Sequence, residues 1–402
     1  MGTLTDTPAR ATSSSAEALI EEARRRQRRR RLWIAAAVPI LVSALVAGLL
    51  LAGGSGSPSA STAGKPTSPA RQPSRIRTAP LTGPFVPEQV VSAAGKAWVI
   101  GTTQASGPDT CQIEEVDPTT LRTRSYPLPL CGPDVAVDGS RIFIAAVAYT
   151  PERSEQIHIE SFDTASGTAK VMAPVVYTTV GSGEAHLGFA YGDGSLWLTF
   201  WGGELQEISP ATGAPVRTIT GVSTGPYPQL VATRSGLWIT GGAGTPALVD
   251  RIAPGSDKAH AVFRRPASDV VLWLSAVGDR VWAGVASDAP TGRRAHTRLV
   301  AFDSSGHEVL ATPIEQIGDT PLVAIGDHLW TLGSGISCSG PQHLWSVDAR
   351  TGRSTARITL RSPVGPCSTA GRSQLVAVGR TLFVLDPTGM ASPSGMLFRI
   401  GG

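Results

Sequence analysis

Between residues 74 and 402 the chain is a succession of short apolar runs with period-two alternation, each bounded by Gly, Pro, Asp or Ser. That pattern predicts β-strands joined by tight turns. One motif recurs seven times within it: a glycine, one to three intervening residues, an aromatic, then an apolar run. Its glycine and aromatic pairs are Gly95 and Trp98, Gly139 and Phe143, Gly194 and Trp197, Gly236 and Trp238, Gly278 and Trp282, Gly326 and Trp330, and Gly379 and Phe383. Successive aromatics lie 45, 54, 41, 44, 48 and 53 residues apart. A period of that length excludes a plain two-sheet sandwich and points to a radial array of small sheets. The expected fold is all-β, a seven-bladed β-propeller of four-stranded blades, occupying residues 74–402.

The sixth repeat shows the expected strand order. Leu322 to Ile325 is the inner strand, His328 to Thr331 the second, Leu344 to Val347 the third and Thr355 to Leu360 the outer one. A Gly-bearing turn from Asp348 to Gly352 joins the last two, and it is echoed at Asp163 to Gly167, Ser209 to Gly213 and Asp303 to Gly306. The seventh repeat runs out of chain after a third strand, Met396 to Ile400. Ser74 to Thr78 reads like Ala356 to Thr359, so the N-terminal strand is expected to complete the last blade and close the ring.

A different pattern precedes the repeats. Leu32 to Ala52 is 21 residues without a charge, long enough as a helix to cross the roughly 30 Å hydrocarbon core of a bilayer. Eight arginines lie before it, and the first charge after it is Lys65. The positive-inside rule therefore predicts a cytoplasmic basic tail over residues 1–31, one transmembrane α-helix over residues 32–52, and an extracytoplasmic remainder. The rival reading is a cleaved signal peptide, but the apolar run is longer than the ~7 to 15 residues of a signal core and no clean small-residue cleavage site closes it. Position 54 is Gly, which excludes a lipoprotein cysteine there. Residues 53–73 are Gly, Ser, Pro and Thr with little apolar surface to bury, the composition of a disordered tether.

Charge changes the picture only at the N-terminus. The net charge is +4, and residues 1–31 alone hold eight arginines against Asp6, Glu17, Glu21 and Glu22. The other residues are balanced, with 27 basic and 27 acidic groups, so the body has no counterion-release footprint and nucleic acid is not expected as a partner. Asn is absent from the sequence, which removes N-glycosylation and leaves left-handed turns to Gly and Asp. Arginine outnumbers lysine 31 to 4, a usage associated with GC-rich bacterial genomes.

The glycine-to-tryptophan strand followed by a Val-Asp…Thr-Gly hairpin resembles the bacterial extracytoplasmic propeller repeats of the YVTN and pyrroloquinoline-quinone-like type. The resemblance covers residues 74–402 and implies a fold; its families include enzymes, binders and sensors, so it does not select an activity. The four cysteines occupy matching points of two repeats. Cys111 and Cys338 precede third strands, while Cys131 and Cys367 follow outer strands, which favours the pairs Cys111 with Cys131 and Cys338 with Cys367. Zinc is disfavoured by the lack of a CxxC or nearby His spacing, so no metal is expected.

The same face of a propeller carries the longer loops, Thr102 to Thr110, Ala148 to Glu155, Ser287 to His296 and Pro387 to Ser394. Binding residues concentrate on loops held by a rigid scaffold. Arg264, Arg265, Arg293, Arg294 and Arg298 are expected near one another on that face, suited to bidentate recognition of carboxylate or phosphate groups on a protein or an acidic envelope polymer. The bland alternative makes them solvated loop charges offset by Asp269 and Asp288. The tryptophans are expected to pack between blades rather than to form a stacking platform. Glu184 and His186 form the ectodomain's one Glu-x-His, which resembles the motif of streptogramin lyases, themselves seven-bladed propellers. The partner His of those enzymes has no counterpart in the neighbouring repeats. The expected function is thus a membrane-anchored binding scaffold without a cofactor, the alternative being a lyase or quinone-dependent enzyme with its site over the central channel near Glu184 and His186.

Overall fold

A computed structural model describes residues 76–81, 85–103, 110–149, 155–172, 175–177, 187–200, 203–222, 224, 228–241, 248–265, 269–287, 296–314, 321–333, 342–360, 374–386 and 396–401. The basic tail, the apolar segment 32–52 and the linker 53–73 lie outside these residues. Among the described residues no helix is long and apolar enough to cross a membrane.

Seven antiparallel sheets follow one another along the chain. Blade 1 is typical, with an inner strand Phe85–Ala93, then Lys96–Thr103, Thr110–Val116 and an outer strand Thr123–Leu128. Blades 2 to 6 span residues 134–177, 188–220, 229–264, 269–314 and 323–360. Blade 7 takes three strands from residues 374–401 and its outer strand, Ile76–Pro80, from the other end of the chain. In that closing ladder Ile76 faces Ile400, Thr78 faces Phe398 and Pro80 faces Met396. The expected seven-bladed propeller and its N-terminal closure are both present. Blade 2 departs from the pattern: its outer strand is broken into Thr168–Val171 and Val175–Tyr177, both paired with Glu155–Asp163. Met172 sits at the break, buried, with its N–H donating to the Ile159 carbonyl at 2.8 Å.

The core lies between sheets. Each of the seven apolar clusters draws on two successive blades, including the seventh with the first. At the seam of blades 1 and 2, for example, Trp98, Ile100 and Ile113 meet Ile142, Ile144 and Phe162. The repeated aromatics fill these seams, as expected. Trp98, Trp197, Trp238 and Trp282 are buried, and Trp330 is half-buried. A buried indole N–H needs an acceptor, and the hairpin supplies one five residues back. Trp98 Nε1 donates to the Ala93 carbonyl and Trp197 Nε1 to the Gly192 carbonyl, each at 3.1 Å, and Trp238 Nε1 donates to Thr233 Oγ1 at 3.3 Å.

The motif glycine has two causes. Gly95 adopts φ +72° in open space, so its backbone conformation alone requires glycine. Gly236 adopts φ +127°, and a Cβ there would also stand 2.0 Å from the Ile252 carbonyl oxygen.

Four of the turns joining third and outer strands are each held by one carboxylate. Asp348 Oδ1 accepts from the N–H groups of Arg350 and Thr351 and from the Thr351 hydroxyl, at 3.0, 2.8 and 2.9 Å. Asp117 and Asp163 repeat this arrangement. Asp303 accepts from Ser305 N–H, the Ser305 hydroxyl and His307 N–H. Donation of this kind favours the ionised form and lowers the pKa of all four, that of Asp303 to about 2. The exposed edges of outer strands carry Pro127, Pro215 and Pro313, which cannot extend a ladder to another chain.

Deleting residues 74–80 removes a five-residue ladder worth roughly 3–5 kcal/mol. The expected result is an unfolding midpoint about 5–10 °C below that of the full chain, read by calorimetry; an unchanged midpoint would show that the ring does not depend on this closure. A second outcome follows from the turn carboxylates, whose stabilisation is complete above the ordinary aspartate range and is lost as pH falls through the lowered folded-state values. Asp303→Asn should therefore flatten the fall of the unfolding midpoint between pH 4 and pH 2, and an acid limb identical to the parent's would remove Asp303 from that account.

Candidate functional site

The two faces of the propeller are built differently. Third strands run from the face of the long connections to the face of the tight turns, and outer strands run back. The four carboxylate-held turns and the glycine hairpins make up the second face. The long connections themselves fall largely outside the described residues, so the first face is known from the strand ends that support it.

Of the arginines expected there, Arg293 and Arg294 lie outside the described residues, as do Glu184, His186, Cys338, Cys367 and Trp201. Arg298, on the third strand of blade 5 (His296–Phe302), reaches across the sheet to the start of the inner strand (Asp269–Val277). There its Nη2 donates to Asp269 Oδ2 at 2.6 Å, and the two side chains are 26% and 11% exposed. Arg298 Nε is buried without a hydrogen-bond partner. Arg265 lies against the Phe263 ring and pairs with Glu308, at the start of the next blade's outer strand, at 3.1 Å. Arg264 is exposed at the end of the outer strand of blade 4. Two of the three described arginines are thus tied to separate acids, Arg298 within blade 5 and Arg265 across the wall between blades 4 and 5. Asp269 as the offsetting charge was legible in the sequence; Glu308 was not, because it lies 43 residues from Arg265.

Cys111 and Cys131 are disulfide-bonded, with their Cα atoms 5.2 Å apart. The bond fastens the third strand of blade 1 to the connection leading into blade 2. From the middle of blade 1's inner strand Gln89 Nε2 donates to the Pro133 carbonyl, and burial raises the pKa of neighbouring Glu88. Among the described residues no group of three or more His, Cys, Asp or Glu is placed to hold a metal ion.

Concavities on the tight-turn face were not anticipated. A cleft of about 530 Å³ separates blades 5 and 6, lined by Asp279, Arg280, Asp327, Asp348 and Arg350 over Trp282. Its floor is stitched by Arg280 Nη1 donating to the Ala349 carbonyl at 3.4 Å and Ala349 N–H donating to the Asp327 carbonyl at 2.9 Å. A smaller one of about 340 Å³ lies between blades 6 and 7, lined by Asp327, His328 and Arg380. The repeated Gly-Asp of the inner hairpins at Asp279 and Asp327 was the available signal for the acidic lining.

Comparison with solved structures places the chain among propellers. It resembles the β-propeller domain of the Trilobed protease from Pyrococcus furiosus, described as having an open velcro topology, at TM-score 0.51 and 10% identity over 79% of this chain and 94% of that one. It also resembles U3-55K, at 0.52 and 12% over 81% and 99%, and the WD40 repeats of RRP9, at 0.52 and 13% over 83% and 98%. These likenesses are of fold. Unlike the open arrangement described for the protease domain, the ring here is closed by Ile76–Pro80 pairing with Met396–Gly401. No protein-family model and no curated protein matches the sequence.

Proposed function

We propose that this chain is an interaction scaffold: a propeller held at a bacterial cell membrane by residues 32–52, N-terminus inside and head outside, that binds a protein or an envelope polymer through its long-connection face. The observation that carries this reading is the direction of the closing strand. Ile76–Pro80 runs antiparallel to the third strand of blade 7, so the chain enters the propeller at the tight-turn face. The strand ends from which the long connections depart therefore lie on the face opposite the one at which the chain enters the sheets. A closed ring with its core spread over seven seams supports variable connections without disturbing the sheets beneath them.

On that face the recognition group is Arg264 with Arg293 and Arg294. Arg298 and Arg265 serve a different purpose in this reading. Their guanidinium groups already meet Asp269 and Glu308, so they brace the wall between blades 4 and 5. Carboxylate or phosphate groups are the matching chemistry, recognised by paired N–H donors.

Crosslinking from intact cells should capture a partner with the parent chain and lose it with Arg264, Arg293 and Arg294 all changed to Ala. Binding that survives in the triple variant at low salt would remove the arginines from the account. Arg298→Ala should behave in the opposite sense, keeping the partner but losing about 2 kcal/mol of stability, because Asp269 is left without its charge-assisted bond; equal stability of that variant in thermal melts would contradict the bracing role.

A further inference from the structure

Four consecutive residues between blades 1 and 2, Leu130 to Pro133, are each fixed by a different element. Leu130 N–H donates to Glu160 Oε2, on the third strand of blade 2, at 2.8 Å. Cys131 is bonded to Cys111 on the third strand of blade 1. Gly132 lies so close to blade 2 that a Cβ would stand 2.0 Å from the Ala145 carbonyl oxygen. Pro133 offers its carbonyl to Gln89 of blade 1's inner strand. Glu160 is the unusual member: its side chain is fully buried, and Oε1 has no hydrogen-bond partner. A buried carboxyl with one oxygen unsatisfied is a costly group to keep ionised.

We propose that this linker is a latch on the seam of blades 1 and 2 whose hold depends jointly on the Cys111–Cys131 bond and on the proton of the Glu160 carboxyl. The disulfide pins the linker over Glu160 and keeps water from it. A dithiol reductant delivers two electrons and two protons to the two sulfurs, leaving two cysteine thiols and the oxidised dithiol. The linker is then held at Leu130 by Glu160 alone, and lifting it hydrates the carboxylate. The two events are linked in both directions: opening the disulfide favours ionisation, and ionisation favours the lifted linker.

Among the described residues no charge outweighs burial in setting the state of the Glu160 carboxyl. Burial is the first cause of the rise of the Glu160 pKa to about 7, and the Leu130 N–H opposes it. On Glu160's own strand, His158 is two residues away and on the same face of the sheet. On the facing side of blade 1, Lys96 and Glu115 are paired, and Tyr126 bonds to Glu115 at 3.1 Å, all three toward the tight-turn end. Asp134 begins the inner strand of blade 2 beyond the linker. Because the folded carboxyl holds its proton more tightly than the unfolded one, the contribution of Glu160 to stability declines as pH rises from the ordinary glutamate range to about 7 and is constant above it.

The test uses the full chain in mild detergent, comparing the parent, Glu160→Gln, and Cys111→Ser with Cys131→Ser. In the parent the unfolding midpoint should fall between pH 5 and pH 8, and Glu160→Gln should abolish that fall while keeping an acceptor for Leu130. In the double serine variant the fall should move from near pH 7 toward the ordinary value of 4.5. Hydrogen exchange at Leu130, corrected for its intrinsic pH dependence, should quicken at least tenfold at pH 8 only when the disulfide is open. The same exchange measured on the reduced parent decides the matter if the serine variant does not fold. A pH dependence that persists in Glu160→Gln, or a midpoint and exchange rate unmoved by opening the disulfide, overturns the latch.

Discussion

Burial between neighbouring sheets is the constraint on which this molecule depends. A four-stranded sheet of short strands cannot bury its own apolar faces, so each blade is stable only where the next one covers it. The consequence is a ring in which every seam must be filled, and in which the last sheet has to meet the first. The seven clusters are nearly alike in logic, with a hairpin aromatic at the centre and apolar side chains of the following blade around it. A free end would expose one such face along with an unpaired strand edge. The N-terminal strand prevents this by pairing with Met396–Gly401 and leading into Leu81 and Phe85, which are buried at the seam of blades 7 and 1.

Within that regular plan the polar groups are distributed unevenly. The same third-strand position, on the face toward the preceding blade, holds Glu114, Glu160, Gln206 and Asp250 in blades 1 to 4, and Val300 and Trp345 in blades 5 and 6. Glu114, Glu160 and Asp250 are buried. Low dielectric makes such groups stabilising only when each finds a partner, and Glu160 finds one for a single oxygen. One half of the ring therefore carries polar groups in its seams, while the seams of blades 4 with 5 and 5 with 6 are apolar at this position.

The two faces of the fold differ in construction. One face is a pavement of tight turns, each held by a carboxylate or a glycine; the other receives every long connection. The tight-turn face also has clefts between blades 5 and 6 and between blades 6 and 7, so it is less featureless than its short turns suggest. A propeller fold is shared by proteins of many activities, and the chemistry of particular side chains, rather than the ring, separates them.

The repeat, the strand order, the buried place of the tryptophans and even the exchange of a strand between the chain ends were legible in the sequence, because each rests on local periodicity or on likeness between segments. Cys111 and Cys131 could be paired for the same reason, since their positions recur in a second repeat. The ion pairs were not legible as a set: Arg265 finds Glu308 only because the outer strand of one blade ends beside the start of the next, an arrangement set by how the sheets pack. Nor could the sequence show that Glu160 lies beneath Leu130, since a lone Glu in a strand reads as a solvent-facing position until the neighbouring blade covers it. What the sequence determined by itself is the fold, because hydrophobic period and turn chemistry act between near neighbours. What the tertiary structure decided is which charges are neutralised, buried or left open, because electrostatics and burial depend on groups brought together from different blades.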